Sequence, residues 1–399
     1  MIVVVPGKKR DKIRSEQLQG FKYFKKLGLL LRRLHGAACA RDRAHNRQLH
    51  MDQYMLLLLL YMFNPICVSL RALQQASGLK KVQKVLGVGR ASLGSLSEAA
   101  RVFDADLLKG IVEELGQELR PLAHDPRLDD VGGILTLTDG TVLAALPKMV
   151  WALWQDKHNA LKAHVQFELL KGVPISAPIT HANADEREVL AAHLQPGRVY
   201  VTDRGYAKYK LLQDIVDIGS GFVCRIRDNT VLDVVQEREL SQEALDAGIV
   251  RDAVVRLGGD QKRGDLRQPV RIVEIACTPN IKTHKNGRGG PQQGDTILIA
   301  TDLMDIPAEV AALIYQCRWG IEIFFRMFKH LLGCRHLLSQ CENGIQLQMY
   351  AAILACMLIA LYTGGKPTVR TYEMLNWYFM GWATKKELES HIARLQKQA

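Results

Sequence analysis

No Cys-x2-Cys pair occurs in this chain of 399 residues. Its eight cysteines, Cys39, Cys67, Cys224, Cys277, Cys317, Cys334, Cys341 and Cys356, are scattered. That spacing excludes a zinc ribbon and a disulfide framework, and it suits a reducing, cytoplasmic setting. Long apolar runs are missing too. MLLLLLYMF (55–63) and YAAILACMLIALY (350–362) fall short of the roughly 20 residues that span a bilayer, so both are expected to be buried core helices, with no membrane role. The opening MIVVVPGKKR is too short for a signal peptide and carries its charge on the wrong side. Acidic residues are outnumbered 41 to 53 by Lys and Arg, giving a formal charge of +12 and a pI near 9.3. Such a balance favours an acidic polymer as partner over a small neutral substrate. The excess is steepest in residues 1–50, with 13 Lys or Arg against 3 Asp or Glu; this stretch reads either as a grip on phosphates or as a solvated basic helix.

The length allows two or three domains. Residues 50–120 read as helical, and CVSLRALQQASGLKKVQKVLGVGRASLGSLSEAARVF alternates short amphipathic runs with Gly and Ser breaks, as helix-turn-helix units do. Ser95 and Glu98 fit a capping box ahead of AARVF. PLAHDPRLDD (121–130) reads as a linker. From 131 the pattern becomes mixed α/β: apolar runs at 134–138, 142–146, 164–170, 173–180 and 199–203 predict strands, and DEREVLAAHL and KYKLLQDIVDIG predict helices. That order of strands and helix is the order of an RNase H-like core. Residues 229–296 hold short β-like runs and a glycine-rich basic loop with Lys282, His284, Lys285 and Arg288, which reads equally as a DNA clamp or a hairpin tip.

Three acids stand out. Asp139 closes the run ILTLTD and Asp203 closes VYVTD; each sits in a dipeptide or tripeptide that also favours a turn. The third is Glu322, in IYQCRWGIEIFFRMFKHLLG. Read as one helix at about 100° per residue, that segment puts Tyr315, Arg318, Glu322 and Lys329 within about 60° of arc. Its adjoining face carries Cys317, Ile321, Phe324, Phe325, Phe328 and Leu332 for packing. A solvated helix face would show the same Arg318–Glu322 spacing. Acids at strand ends plus a glutamate on a later helix can converge on divalent metal, and a carboxylate among cations suits metal beside phosphate. Arg326 lies near the same stripe. Lys162 and His164 read as DNA contacts or half-buried strand residues, Arg204 as a phosphate contact or salt-bridge partner, and His181 as a cap for the next helix.

The segments around Asp139 (LTDGT), Asp203 (VTDRGY) and Tyr315, Arg318, Glu322 and Lys329 (YQCRWGIEIFFRMFK) resemble the catalytic motifs of DDE transposases of the insertion-sequence-four type, which carry a Tyr-Arg-Glu-Lys signature. The resemblance covers about residues 130–365. It implies a helical N-terminal DNA-binding domain (1–125) and an RNase H-like core in two parts (126–228 and 297–335). Between those parts it implies a mostly β insertion (229–296), since Asp203 and Glu322 lie 119 positions apart, and after them a helical C-terminal region (336–399). It further implies that Asp139, Asp203 and Glu322 are catalytic and hold two Mg²⁺ ions, with Mn²⁺ an acceptable substitute, while Tyr315, Arg318, Lys329 and Arg326 contact DNA. The implied partners are double-stranded DNA, both terminal inverted repeats and target, and a second copy of the chain. The implied reaction is cut-and-paste transposition through a hairpin, with a flipped base stacked on an aromatic side chain; the insertion has no tryptophan to supply it, and Trp319 adjoins the motif. Two other classes share these features: a silent DNA-binding regulator, and a structure-specific nuclease on the same core.

Overall fold

The computed structural model describes residues 24–37, 47–64, 66–122, 125–144, 149, 153–155, 158–258, 265–277, 295–330, 336–365 and 367–396. The first basic segments and the loop bearing Lys282, His284, Lys285 and Arg288 lie outside the described residues, as does Leu332. The chain divides into two compact units. One comprises 1–120, 143–151 and 326–399; the other comprises 121–142 and 152–325.

The first unit is helical. Helix Met51–Phe63 is Leu- and Met-rich with no β-branched residue, and all but one of its side chains are buried. Helix Glu342–Thr363 is apolar on every side, the signature of a helix enclosed by protein. Its 22 residues are long and apolar enough to cross a bilayer, yet 89% of its most apolar window is buried inside the molecule, as expected of a core helix. Gly344 lets it approach helix Leu93–Val102, since a Cβ there would stand 2.6 Å from Ala100 Cβ. Beside it, Asn343 Nδ2 donates to the carbonyls of Ala100 at 2.8 Å and Phe103 at 2.7 Å, while its Oδ1 accepts from Ala105 N at 3.2 Å. Gly364, at φ +58°, ends the helix in the left-handed turn that glycine favours.

Helices Leu70–Ser77, Lys80–Leu86, Leu93–Val102 and Lys109–Glu118 fill the region expected to be helical. The expected Ser95–Glu98 box is not the start of its helix. Ser92 caps instead, its Oγ accepting from Ser95 N at 2.9 Å, which puts Ser95 inside the first turn. A serine three residues earlier offers the same oxygen at a position where the chain is still extended.

The second unit is mixed α/β around one large sheet. Its strands are β1 (Ile134–Ala144), β2 (Leu153–Gln155), β3 (His158–Glu168), β4 (Val173–Ser176), β5 (Ile179–His181), β6 (Arg198–Thr202), β7 (Gly221–Arg225), β8 (Leu232–Glu237), β9 (Ile249–Leu257), β10 (Val270–Ala276) and β11 (Thr296–Thr301). The order is β2-β3-β1-β6-β7-β11-β10-β9-β8, with β4 and β5 pairing on β3. β1, β6 and β7 run parallel. From β7 outward every pairing is antiparallel, so the strands of 229–296 extend the same sheet through β11. Helices Glu186–Ala192 and Tyr209–Asp217 cover one stretch of it, packing Leu190, Leu211, Leu212 and Ile215 against Tyr200, Phe222, Val255 and Ile272. In the antiparallel part, fully buried Arg271 is matched by Asp252, with Nε–Oδ1 at 2.8 Å and Nη2–Oδ2 at 2.7 Å, and its Nη1 donates to the Ile306 carbonyl.

Two strand expectations change. The run 134–138 and the described part of the run 142–146, residues 142–144, are one strand, β1, and the run 173–180 is split into β4 and β5. Asp139-Gly140 therefore does not turn: the flanking Thr and Val residues are strand formers, and sheet pairing outweighs the dipeptide's local preference.

Candidate active site

Asp139 lies within β1 rather than at its end. β1 and β6 pair in register as far as Leu137 and Val201, two residues before Asp139 and Asp203, and the two carboxyls are close enough to interact electrostatically. Asp203 follows β6 directly and caps the short helix Arg204–Tyr206, its Oδ1 accepting from Gly205 N at 2.8 Å. Asp139 Oδ1 accepts from Gly140 N at 2.8 Å. Burial pushes the Asp139 carboxyl up to about 6; the Gly140 N–H and Arg318 oppose that rise, and the charges of Asp203 and Glu186 add to it.

The signature segment is two helices, not one. Ala308–Gln316 ends before Cys317 and Trp319–His330 begins after Arg318. Between them the bonds shorten to three residues, Arg318 N to Tyr315 O at 3.0 Å, Gly320 N to Cys317 O at 2.9 Å and Ile321 N to Arg318 O at 3.1 Å. The tightened turn keeps Arg318 between its expected neighbours. Its Nη2 stands 3.3 Å from Glu322 Oε1, its Nη1 3.5 Å from Asp139 Oδ2, and its guanidinium carbon 5.9 Å from the Tyr315 ring centre. Its Nε is buried without a hydrogen-bond partner. Ile321, Phe324, Phe325 and Phe328 are buried as expected, and Phe324 meets Phe167 of β3 with ring centres 5.3 Å apart. Trp319 is 61% exposed, its ring centre 5.7 Å from the Arg318 guanidinium.

Arg326 and Lys329 follow on the same helix, in the stretch that belongs to the other unit. Arg326 is exposed; Lys329 is half-buried, and burial holds its ammonium below the usual range.

One acid near Asp139 escaped the sequence. Glu186, in the first turn of its helix, pairs with Lys162 of β3 at 2.8 Å. A Cβ on Gly140 would stand 2.6 Å from Glu186 Oε1, so the glycine is what lets this carboxylate close on β1. Tyr206 is buried nearby, its hydroxyl raised well above the ordinary value by burial and by Glu186, Asp139 and Asp203. A TDGT segment gives a hint of close approach at the glycine. An acid in a first helical turn gives none, because it reads as a complement to the helix dipole.

The remaining sequence candidates resolve individually. Lys162 is the partner of Glu186. His164 is buried, 2.8 Å from Thr180 Oγ1, and burial pushes its imidazole down to about 4. Arg204 is exposed and makes no ion pair among the described residues. His181 does not cap the following helix; Asp185 does, accepting from Arg187 N at 2.9 Å, because its side chain stands directly before the first turn.

Residues 132–358 match the family described as Transposase DDE domain. The chain belongs to that family, and its relatives agree with the insertion-sequence-four type. It is 29% identical over 230 residues to a protein named transposase y4zB of Sinorhizobium fredii, a match covering 57% of this chain and 60% of that one. It thus spans under two thirds of that relative's length. A protein of Geobacillus stearothermophilus, named as the transposase for insertion sequence element IS5377, is 25% identical over 70% of this chain and 69% of its own. Among solved structures, a cryo-EM structure of piggyBac transposase in a synaptic complex with hairpin DNA covers 94% of this chain and 84% of its own, at 12% identity and a TM-score of 0.39.

The family implies divalent metal, and the donor chemistry here fits it. Asp139, Asp203 and Glu322 offer hard carboxylate oxygens, the kind Mg²⁺ prefers. Burial raises the Asp139 carboxyl, and a cation beside it would favour its charged form. Among the described residues no three such side chains form a ready-made metal cluster, and at the present spacing Arg318 bridges Asp139 and Glu322.

Proposed function

We propose that the chain is a transposase that cuts and rejoins DNA at the ends of an insertion sequence, using Asp139, Asp203 and Glu322. The observation that carries this reading is the bridge from Asp139 through Arg318 to Glu322, which joins a central strand to a helix pair more than 170 residues away. The strand order β3-β1-β6-β7, with one acid in β1 and the next directly after β6, supports an RNase H-like core split by the β8–β10 segment. On this reading residues 126–228 and 297–335 form that core, 229–296 the insertion, 1–125 the end-binding domain and 336–399 a helical C-terminal region.

The three carboxylates would hold two Mg²⁺ ions, or Mn²⁺, which would activate an attacking oxygen and offset charge on the leaving oxygen. The chain's own groups do the rest. Arg318, with a fork of donors and a buried unpaired Nε, orients a phosphate oxygen at the cut. Tyr315 flanks that guanidinium and limits its rotation. Lys329 and Arg326, in the other unit, would contact the DNA backbone. The same site would nick, form a hairpin, reopen it and join the end to target DNA, in a homodimer that brings two terminal repeats together. The net charge of +12 supports a polyanionic partner.

The test is a single-turnover assay on a duplex carrying the element's own terminal repeat, resolving nick, hairpin and joined product. Metal-dependent cleavage by the native chain, abolished in Asp203→Ala with duplex binding retained, is the expected result. Cleavage by Asp203→Ala equal to native would remove this residue from the site.

A further inference from the structure

We infer that the groove between helices Val369–Phe379 and Lys385–Gln396, with Arg370 and Arg394 at its centre, is a binding site for a DNA backbone phosphate. A cavity of about 340 Å³ there is lined by Thr368, Arg370, His391, Arg394 and Leu395, with no carboxylate among its described lining residues. A second cavity of about 380 Å³ shares both arginines and adds Lys386, Thr384 and Ser390, so the two concavities meet across the guanidinium pair. The acid among its described lining residues, Glu387, is already engaged, accepting from Thr384 N and Thr384 Oγ1 at 2.7 Å each.

The groove is built rather than incidental. His391 is buried at its floor, 3.1 Å from Thr371 Oγ1, and Gly365 brings its backbone against Leu395, where a Cβ would stand 3.6 Å from the leucine Cβ. Arg370 is held in place by Trp377, with 4.3 Å from guanidinium to ring centre, and by a weak exposed contact to Glu373 at 3.3 Å. Arg394 makes no ion pair or hydrogen bond among the described residues. Burial lowers the His391 imidazole, and the neighbouring Arg394 and Arg370 lower it further, which reports an uncompensated positive field.

Two guanidinium forks with free donors recognise phosphate oxygens. Trp382, 83% exposed in the turn joining the two helices, favours a nucleic acid over a free anion, because bases and sugars pack on exposed aromatic rings. The site rests on the reading that this chain acts on DNA. It adds a second contact region, on the C-terminal helices, to the one around Arg318.

The test measures binding of a mixed-sequence 40-base-pair duplex to the full chain across a salt series. Each lost phosphate contact lowers the slope of log K against log salt by about 0.9, so Arg394→Gln should lower it by about 0.9 and Arg370→Gln/Arg394→Gln by about 1.8. Arg370→Lys/Arg394→Lys should keep most of the slope. Circular dichroism and melting temperature of each variant check the fold, and Arg394→Gln, which breaks no ion pair or side-chain hydrogen bond among the described residues, serves if the double variant fails to fold. Native binding with an unchanged slope in Arg394→Gln would overturn this site and leave the functional reading standing. A native chain that binds no duplex would overturn both. Saturable binding of inorganic pyrophosphate lost in Arg394→Gln, with duplex binding unaffected, would make it a free-anion site and overturn the DNA assignment.

Discussion

Arg318 stands 3.5 Å from Asp139 across 179 residues of chain, closer in space than any local rule of sequence requires. Through its other nitrogen it reaches Glu322 at 3.3 Å, so one cation is shared by an acid on a strand and an acid on a helix. These are loose contacts by hydrogen-bond standards, and a guanidinium so placed can turn from carboxylate to phosphate without breaking a tight pair.

The proposed division of labour makes Arg318 and Glu322 separable. Arg318→Ala removes a charge-assisted phosphate contact, about 1.5–3 kcal/mol or one to two decades in rate, and should slow hairpin formation and joining more than the first nick. Glu322→Gln keeps the shape of the side chain and removes its charge, and should stop every step. Rates of the individual steps in a single-turnover assay decide it. Equal loss on all steps in Arg318→Ala would show that the arginine serves the carboxylates rather than the phosphate.

The sequence carried the acids and the apolar helices but not every connection between them. Asp139, Asp203 and Glu322 were visible because each ends or interrupts an apolar run. Met51–Phe63 and Glu342–Thr363 were visible because uninterrupted apolar residues of helix-forming type have few other destinations. The break at Cys317–Arg318 was invisible, since a tightened turn of one or two residues keeps the same apolar spacing on both sides. Glu186 was missed for a different reason: its partner Lys162 and its neighbour Gly140 lie on separate strands, and nothing local in DEREVL announces them.

The raised carboxyl of Asp139 gives a stability prediction that needs no metal. Its folded value of about 6 lies above the ordinary 3.8, so the native state carries a penalty for ionisation. That penalty is absent below pH 4, grows as pH rises from 4 to 6 and is complete above 6. Asp139→Asn, neutral at every pH, should therefore melt at the same temperature as native near pH 4. At pH 8 in chelator it should be more stable by about 3 kcal/mol, or a few degrees in a chain of this size. Thermal melts at the two pH values check this; a variant less stable than native at pH 8 would mean that the carboxylate is net stabilising where it stands.

The helical segment before residue 120 can be tested for DNA contact only by gentle changes. Helix Glu342–Thr363 packs against Met51–Phe63 in the same unit, so deleting 1–120 would strip the core from the helices that remain. Lys80 and Lys84 are exposed, one turn apart on helix Lys80–Leu86. If this helix faces DNA, Lys80→Gln/Lys84→Gln should lower the salt slope by about 1.8 and weaken all duplexes alike, with the melting temperature unchanged. An unchanged slope would move end recognition away from this helix.

Gly140 and Glu186 offer a rescue experiment. Gly140 lies in β1 and carries no positive φ, so alanine is allowed by the backbone. Its Cβ would nonetheless meet Glu186 Oε1 at 2.6 Å and Lys162 Cδ at 3.1 Å. Both obstacles belong to flexible side chains, so the strand should hold and the 2.8 Å Lys162–Glu186 pair should give way. Gly140→Ala should thus cost about 1–3 kcal/mol and disturb Asp139, its neighbour in the strand. Glu186→Ala alone should also destabilise, by leaving Lys162 half-buried without its anion. Combining them should cost less than the sum, since the carboxylate that the new methyl group strikes is already gone. A double-mutant cycle in chemical denaturation measures the difference, expected at about 1 kcal/mol or more in favour of the pair. Strict additivity would mean that Gly140 is required by the strand itself and not by the acid beside it.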